Sequence, residues 1–298
     1  MSYNIIARIA EGIGNQLFMF ANAYYLSRKF GYNLFLDNTS GYFKKKNQIR
    51  SFELDKFNIN CSIASKNFKF DTYPLDIKRK FLKSLDLFKN KKKIYVEKRD
   101  SNKNTFFNPI DVNNLTKTFY IEGHFECERY FDEFRSDLIK LIKVKDDYLN
   151  INNPYINDLI NSNSVSICIR QNRYSEGRLK NDDKSLKLTN DTIDYIFRSI
   201  EYFKKKVNKP KFFIWSNDFK NLKEYFNDED FMFINNSNNK ALNDFYLFSY
   251  CKHFIVGPTS FHWWGAWLNN SPNKICIRPS NINPSKNKDF WPESWIKI

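Results

Sequence analysis

Hydrophobic and polar positions alternate with two different periods along this chain, and the first thirty residues show both. Tyr3 to Ala10 (YNIIARIA) is apolar and β-branched, Glu11-Gly12-Ile13-Gly14-Asn15 interrupts it, and an aromatic-rich amphipathic stretch runs from Gln16 to Phe30 before Gly31. The pattern predicts a strand, a tight glycine turn, a helix and a glycine stop. Asn33 to Asp37 (NLFLD) predicts a second strand. Together these have the strand-helix-strand form of a parallel sheet.

Positions 40–118 are charged and irregular. Within them Ile77, Phe81, Leu82, Leu85 and Phe88 fall on one helical face among lysines, which predicts a basic amphipathic helix. Such a helix either lies on an anionic membrane or packs its apolar stripe on its own domain. Regular patterning returns at Thr118: Phe119 to Glu122 predicts a strand and Arg129 to Val144 a helix, and the polar run Asn150 to Asn163, with Pro154, predicts a domain junction. Strands are then expected at Val165 to Ile169, Phe212 to Ser216, Phe231 to Ile234, Phe254 to Val256 and Lys274 to Ile277. Helices are expected between them at Thr192 to Val207, Phe219 to Phe226, Ala241 to Cys251 and Phe261 to Leu268. This alternation predicts a doubly wound α/β domain. The expected division is an N-terminal α/β domain, 1–153, carrying a basic irregular insertion at about 40–118, and a C-terminal α/β domain, 154–298.

Composition narrows the class. With 298 residues, 42% hydrophobic and 18% aromatic, and only 8 glycines and 9 prolines, the chain is neither disordered nor collagen-like. A net charge of +15 favours polyanionic partners such as nucleic acid, anionic lipid or a phosphorylated small molecule, with drift in an AT-rich genome as the competing account of the lysines. The 5 cysteines are widely spaced with no C-x-x-C, and the 3 histidines form no metal-spaced pair, so neither a disulfide framework nor a zinc site is expected. No leader-like start and no apolar run near the roughly 20 residues of a membrane span are visible, so a cytoplasmic protein is expected.

Four places could carry chemistry. The Gly12-x-Gly14 turn leads from a strand into a helix, where free N–H groups receive anions, but Leu17 stands where a dinucleotide fingerprint requires glycine. Arg170 follows the strand ending at Ile169, the edge at which open α/β sheets bind ligands, and its guanidinium can grip a diphosphate; a surface salt bridge is the alternative. Thr259 or Ser260 can cap the helix after Pro258 and donate to a phosphate at its start. Asp244 opens a helix and is either a cap or a carboxylate facing a guanine. Trp263, Trp264 and Trp267 read as core. Asp228-Glu229-Asp230 has the D-x-D form of a metal-binding pair, but it precedes a strand instead of ending one and reads as a solvated loop.

Taken in order, Gly12-Ile13-Gly14-Asn15-Gln16-Leu17-Phe18, Ile121-Glu122-Gly123-His124-Phe125, the Arg170 loop, Phe213 to Asp218, Asp244 to Ser249, Ser260-Phe261-His262-Trp263-Trp264-Gly265-Ala266-Trp267-Leu268-Asn269 and Pro292 to Lys297 resemble the bacterial α-1,2-fucosyltransferases of glycosyltransferase family 11. The resemblance implies a GT-B-like fold, two Rossmann-type α/β domains facing a cleft. It implies metal-independent, inverting transfer of L-fucose from GDP-L-fucose to a galactose 2-hydroxyl in surface polysaccharide synthesis, with no cofactor. By the same resemblance Arg170 holds the donor β-phosphate, Thr259, Ser260 and Phe261 form the phosphate-side loop, and Asp244 reads guanine. Gly12, Gly14 and Asn15 are further donor-side candidates, and His124 and Glu126 acceptor-side ones. Glu176, Glu11 and Glu126, in that order, are candidate bases. The expected acceptor is a galactose-terminated oligosaccharide or lipid-linked glycan, with peripheral contact to an anionic membrane through 77–93 at the inner face and no nucleic acid partner.

The chain departs from the family pattern H-x-R-R-G-D-Y at the donor loop: Cys168 replaces the histidine, Gln171 the second arginine, and Asn172-Arg173 the Gly-Asp pair, while Glu11 stands where glycine is usual. A related donor such as GDP-colitose is therefore an alternative. Two others are a metal-dependent transferase using Asp228 and Asp230, and a basic glycan- or nucleic-acid-binding module, although no RNP, KH, zinc-finger or helix-turn-helix signature accompanies the charge.

Overall fold

The apolar run after Tyr3 forms β1 (Asn4–Arg8), the aromatic stretch forms α1 (Ile13–Phe30), and NLFLD forms β2 (Asn33–Asp37), in a computed structural model that describes residues 3–44, 50–175, 181–236 and 240–298. Gly31 ends α1 with φ 68°, a left-handed conformation in which its N–H reaches the Ser27 carbonyl. Next come β3 (Ser62–Ile63), α2 (Tyr73–Leu85), β4 (Lys92–Val96), β5 (Leu115–Glu122), α3 (Arg135–Leu141) and α4 (Ile156–Asn161). They are followed by β6 (Asn163–Ile169), α5 (Asp182–Lys206), β7 (Pro210–Ser216), α6 (Leu222–Tyr225), β8 (Phe231–Phe233), α7 (Lys240–Phe248), β9 (His253–Ile255), α8 (Ser260–Leu268), β10 (Cys276–Arg278) and β11 (Ile296–Lys297).

The chain divides into two units, Met1–Lys143 with Ser285–Pro292, and Val144–Pro284 with Glu293–Ile298. In the first, five parallel strands run in the order β3-β2-β1-β5-β4. In the second, six parallel strands run β11-β10-β9-β6-β7-β8. Both are parallel-sheet α/β units, the architecture of a GT-B-like fold.

Burial explains the elements. β6 and β7 are central strands whose Val165, Ile167, Ile169, Phe212 and Ile214 are fully enclosed, and Ile193, Ile196, Ile200 and Phe203 of α5 close over them. Acidic Asp182 and Asp183 begin α5 and Lys204, Lys205 and Lys206 end it, each matching the adjacent helix pole. Trp263, Trp264 and Trp267 are buried, with Trp263 against Trp295 at 5.7 Å, so the tryptophan-rich helix is core.

The structure differs from the periodicity reading in several places, among them α5, which begins at Asp182 instead of Thr192, and α6, which is only Leu222–Tyr225. The expected basic helix around Ile77 is present as α2, but the rest of 40–118 is not irregular, since it supplies two of the first sheet's strands, β3 and β4. Short edge strands surrounded by lysine carry too few apolar positions to show a period. The expected helix Arg129 to Val144 is broken into two 3-10 turns, Glu128–Tyr130 and Asp132–Phe134, before α3. The polar run taken for a junction contains α4, and the division between units falls at Lys143, ten residues earlier than expected.

Candidate active site

Strands β6 and β9 are parallel neighbours with Ile167 opposite Ile255, so the loops that leave their carboxyl ends emerge side by side. One begins with Arg170 and the other with Gly257. No side chain fits at Gly257, because a Cβ there would lie 2.0 Å from the Cys168 carbonyl oxygen. The Gly257 N–H donates to His262 Nδ1 at 2.9 Å, and His262 Nε2 lies 2.8 Å from Ser166 Oγ. Burial drives the His262 pKa down to about 3, so the ring is neutral. With Nδ1 accepting, Nε2 carries the hydrogen and donates to Ser166. His262 is therefore a fastener of the loop.

Thr259 caps α8, its hydroxyl oxygen accepting from the His262 N–H at 3.1 Å. Ser260 and Phe261 form the first turn, and the Phe261 ring packs on Phe245 and Phe248 of α7 at 5.7 and 5.6 Å. The arrangement leaves the positive end of a helix dipole next to the Arg170 loop.

The loop after β6 builds its own supports. Asn172 takes φ 56°, which asparagine tolerates better than most residues, at the position where the family pattern has glycine. The Arg173 guanidinium donates to the Pro258 carbonyl at 2.9 Å and the Pro284 carbonyl at 2.8 Å, tying the loop after β6 to the loop after β9 and to the segment after β10. Gln171 ties it the other way, its N–H to Asn217 Oδ1 at 2.8 Å and its side-chain amide to the Asp218 carbonyl at 2.7 Å.

Asp244 is buried on α7, with Oδ1 accepting from Asn236 Nδ2 at 2.6 Å, and Asn236 in turn accepts from Asn153 at 2.7 Å. Loss of solvent raises the Asp244 pKa to about 6, against the pull of the Asn236 hydrogen bond and the Lys240 charge. Burial and then the Asp244 carboxylate push the Cys168 thiol up to about 12, while Arg170 and Lys240 act oppositely. Cys168 is a neutral thiol bracketed by the charges of Arg170, Asp244 and Lys240. A cavity of about 520 Å³ opens beside Asn236, lined by side chains that include Asn150, Asn153, Asn235 and Asn243.

The second unit thus brings together Arg170, Asp244, Thr259, Ser260 and Phe261. Gly12, Gly14, Asn15, Glu11, His124 and Glu126 belong to the first unit. There the loops after β1 and β5, neighbouring parallel strands, share one edge of the sheet. Glu11 holds φ 65° just before α1, and its carbonyl accepts from Gln16 Nε2 at 2.9 Å. Arg50 lies so close to Gly12 that a Cβ there would be 2.0 Å from its Nη1. The His124 N–H donates to Glu97 Oε2 at 2.8 Å, and Glu126 accepts from the Ser285 hydroxyl. Glu97 is buried at the end of β4, its other oxygen has no partner among the described residues, and desolvation raises its pKa. Glu176 lies outside the described residues. Asp228, Glu229 and Asp230 form an exposed turn before β8.

Sequence reasoning missed Glu97, Arg50, Asn236 and the bridging role of Arg173. Only Arg173 left a signal, as a charged residue in a loop already singled out; the others are recognisable only by what lies across space from them.

A family model described as glycosyl transferase family 11 matches residues 14–298. Among curated relatives, an Escherichia coli α-1,2-colitosyltransferase is 29% identical over 99% of this chain and 98% of its own length. The O-antigen biosynthesis glycosyltransferase WbnK of Escherichia coli is 27% identical over 97% and 99%. Among solved structures, the α-1,6-fucosyltransferase NodZ, known from Bradyrhizobium and soaked with GDP-fucose, aligns with a TM-score of 0.53 at 15% identity, covering 96% of this chain and 97% of that one.

Proposed function

We propose, for a chain that belongs to glycosyltransferase family 11, inverting transfer of L-fucose from GDP-L-fucose to the 2-hydroxyl of a terminal galactose during bacterial surface polysaccharide synthesis. The carrying observation is the pairing of Arg170 with the N-terminus of α8 on adjacent parallel strands, β6 and β9. Membership of an enzyme family sets aside the non-catalytic binding module.

In this reading the acceptor oxygen attacks the anomeric carbon as the bond from that carbon to the diphosphate breaks, and GDP departs with the electron pair. Arg170 and the N–H groups of α8 stabilise the growing charge on the diphosphate. Asp244, oriented by Asn236, accepts from the guanine N1–H and N2–H, and the amide-lined cavity beside it suits the polar edge of a purine. The acceptor proton passes to a carboxylate, with Glu176, Glu11 and Glu126 as candidates.

A second donor, GDP-colitose, is favoured by the relative named as an α-1,2-colitosyltransferase and by the altered donor loop. The deciding experiment offers GDP-fucose, GDP-colitose and GDP-mannose with galactosides and reads the linkage by NMR. A 1,2-linked product from either of the first two supports the proposal; turnover with GDP-mannose alone overturns it. Activity is expected to persist in excess EDTA, and a strict need for Mn²⁺ or Mg²⁺ would move attention to Asp228 and Asp230.

A further inference from the structure

Helix α2 is docked on its sheet with its charged side inward. Asp76, 2% exposed, accepts from Arg79 at 2.6 Å and also pairs with Lys44, and Arg79 reaches on to Glu122 at the end of β5 at 2.6 Å. Leu75 and Leu82 add partial apolar contact with the Ile94 and Tyr120 cluster. Asp86, in the following 3-10 turn, is also buried and accepts from the Lys93 and Ile94 N–H groups at 2.9 and 2.8 Å. This docking consumes the segment's acids and leaves five of its large apolar side chains outside. Tyr73, Ile77 and Phe81, spaced four apart along one stripe, are 68%, 67% and 61% exposed, and Leu87 and Phe88 continue it at 76% and 88%. Exposed Lys78, Lys89, Lys91, Lys92 and Lys93 surround the stripe.

We propose that this face is a docking surface for an anionic lipid bilayer, with Ile77, Phe81 and Phe88 entering the headgroup boundary and the lysines meeting lipid phosphates. An exposed apolar stripe of this size costs free energy in water and calls for a cover. The occupant follows from the charge: between Tyr73 and Lys93 both acids, Asp76 and Asp86, are turned inward and hydrogen-bonded, so the outer face offers cations alone. Apolar insertion beside a lysine rim is the signature of an interfacial helix. A second copy of the same face would bring lysine against lysine. The inference goes beyond the proposed transfer and does not depend on its donor or acceptor.

The test is cosedimentation of the full chain with phosphatidylcholine vesicles, with and without about 30 mol% phosphatidylglycerol. Wild type is expected in the pellet with anionic vesicles and in the supernatant with neutral ones. The triple change Ile77→Ser, Phe81→Ser, Phe88→Ser should lower the partition about tenfold or more, with an unchanged circular-dichroism melting curve. Lys78→Gln, Lys89→Gln, Lys91→Gln and Lys92→Gln together should act likewise and abolish the dependence on salt. Failure of wild type to bind anionic vesicles, or equal binding by all variants, overturns the proposal. So does a concentration-dependent dimer in sedimentation equilibrium that the triple change dissociates, which would assign the face to a second copy.

Discussion

The Cys168 carbonyl oxygen sits 2.0 Å from the point where a Cβ on Gly257 would lie, so β6 and the segment just past β9 touch backbone to backbone where the chain leaves the two strands. Gly257→Ala must push against main chain, which cannot rotate away as a side chain would. We expect a loss of roughly 1–3 kcal/mol in stability and a higher KM for the donor sugar nucleotide. A variant with wild-type melting temperature and KM would show that the contact is slack.

Arg173 binds two carbonyls, that of Pro258 after β9 and that of Pro284 after β10. Removing it leaves both carbonyls to water and frees the Arg170 loop. Arg173→Ala should raise the donor KM by about tenfold, at a stability loss of roughly 1–3 kcal/mol. Arg173→Lys should recover only part, since a point charge cannot fork to two acceptors. Steady-state kinetics with the donor varied would check this, and unchanged KM in both variants would remove Arg173 from the site's supports.

Arg170 should be intolerant of lysine for the same geometric reason, now applied to the diphosphate. Arg170→Lys is expected to lower kcat/KM by roughly 10²-fold or more. Near-wild-type turnover in that variant would contradict the assignment.

The Asp244 pKa, raised to about 6 from an ordinary 3.8 by burial, has two consequences of known sign. The folded chain holds this proton more tightly than the unfolded one, so the ionised carboxylate costs about 3 kcal/mol above pH 6, a cost that fades as pH falls toward 4. Asp244→Asn should therefore stabilise the fold at pH 8 and not at pH 4, by urea unfolding. In the proposed reading Asp244 accepts from guanine in its ionised form, so donor KM should climb as pH drops below about 6. A flat KM profile between about pH 5 and about pH 8 would disconnect Asp244 from guanine recognition.

Proton removal from the acceptor is tested by Glu11→Gln, Glu126→Gln and Glu176→Gln. A base should lower kcat strongly and leave donor affinity nearly unchanged. Glu126 already accepts from Ser285, so its loss should also disturb that contact. Wild-type kcat in all three variants would mean that none is needed.

The order of strands and helices, the glycine turn before α1 and the place of Arg170 after β6 were legible in the sequence, because they depend on local period and on residues whose backbone preferences are strong. The tryptophan-rich helix and the solvated D-x-D turn were read correctly from their context. Segment 40–118 was not, since β3 has 2 residues and the surrounding lysines mask any alternation.

What the sequence determined by itself is a pair of parallel α/β units and the loops that leave the carboxyl ends of their strands, because period, glycine and chain order act within a few residues of one another. Tertiary structure alone decided the partners across those loops: Gly257 on Cys168, Arg173 on Pro258 and Pro284, Asn236 on Asp244. It also decided which side of α2 faces inward. A repeat of apolar residues marks a stripe, but with Arg79 turned inward to Glu122, 43 positions away in the chain, Ile77, Phe81 and Phe88 of that stripe face solvent while Leu82 packs on the sheet. Long-range charge pairing leaves no period in the sequence, which is why only the folded chain reveals it.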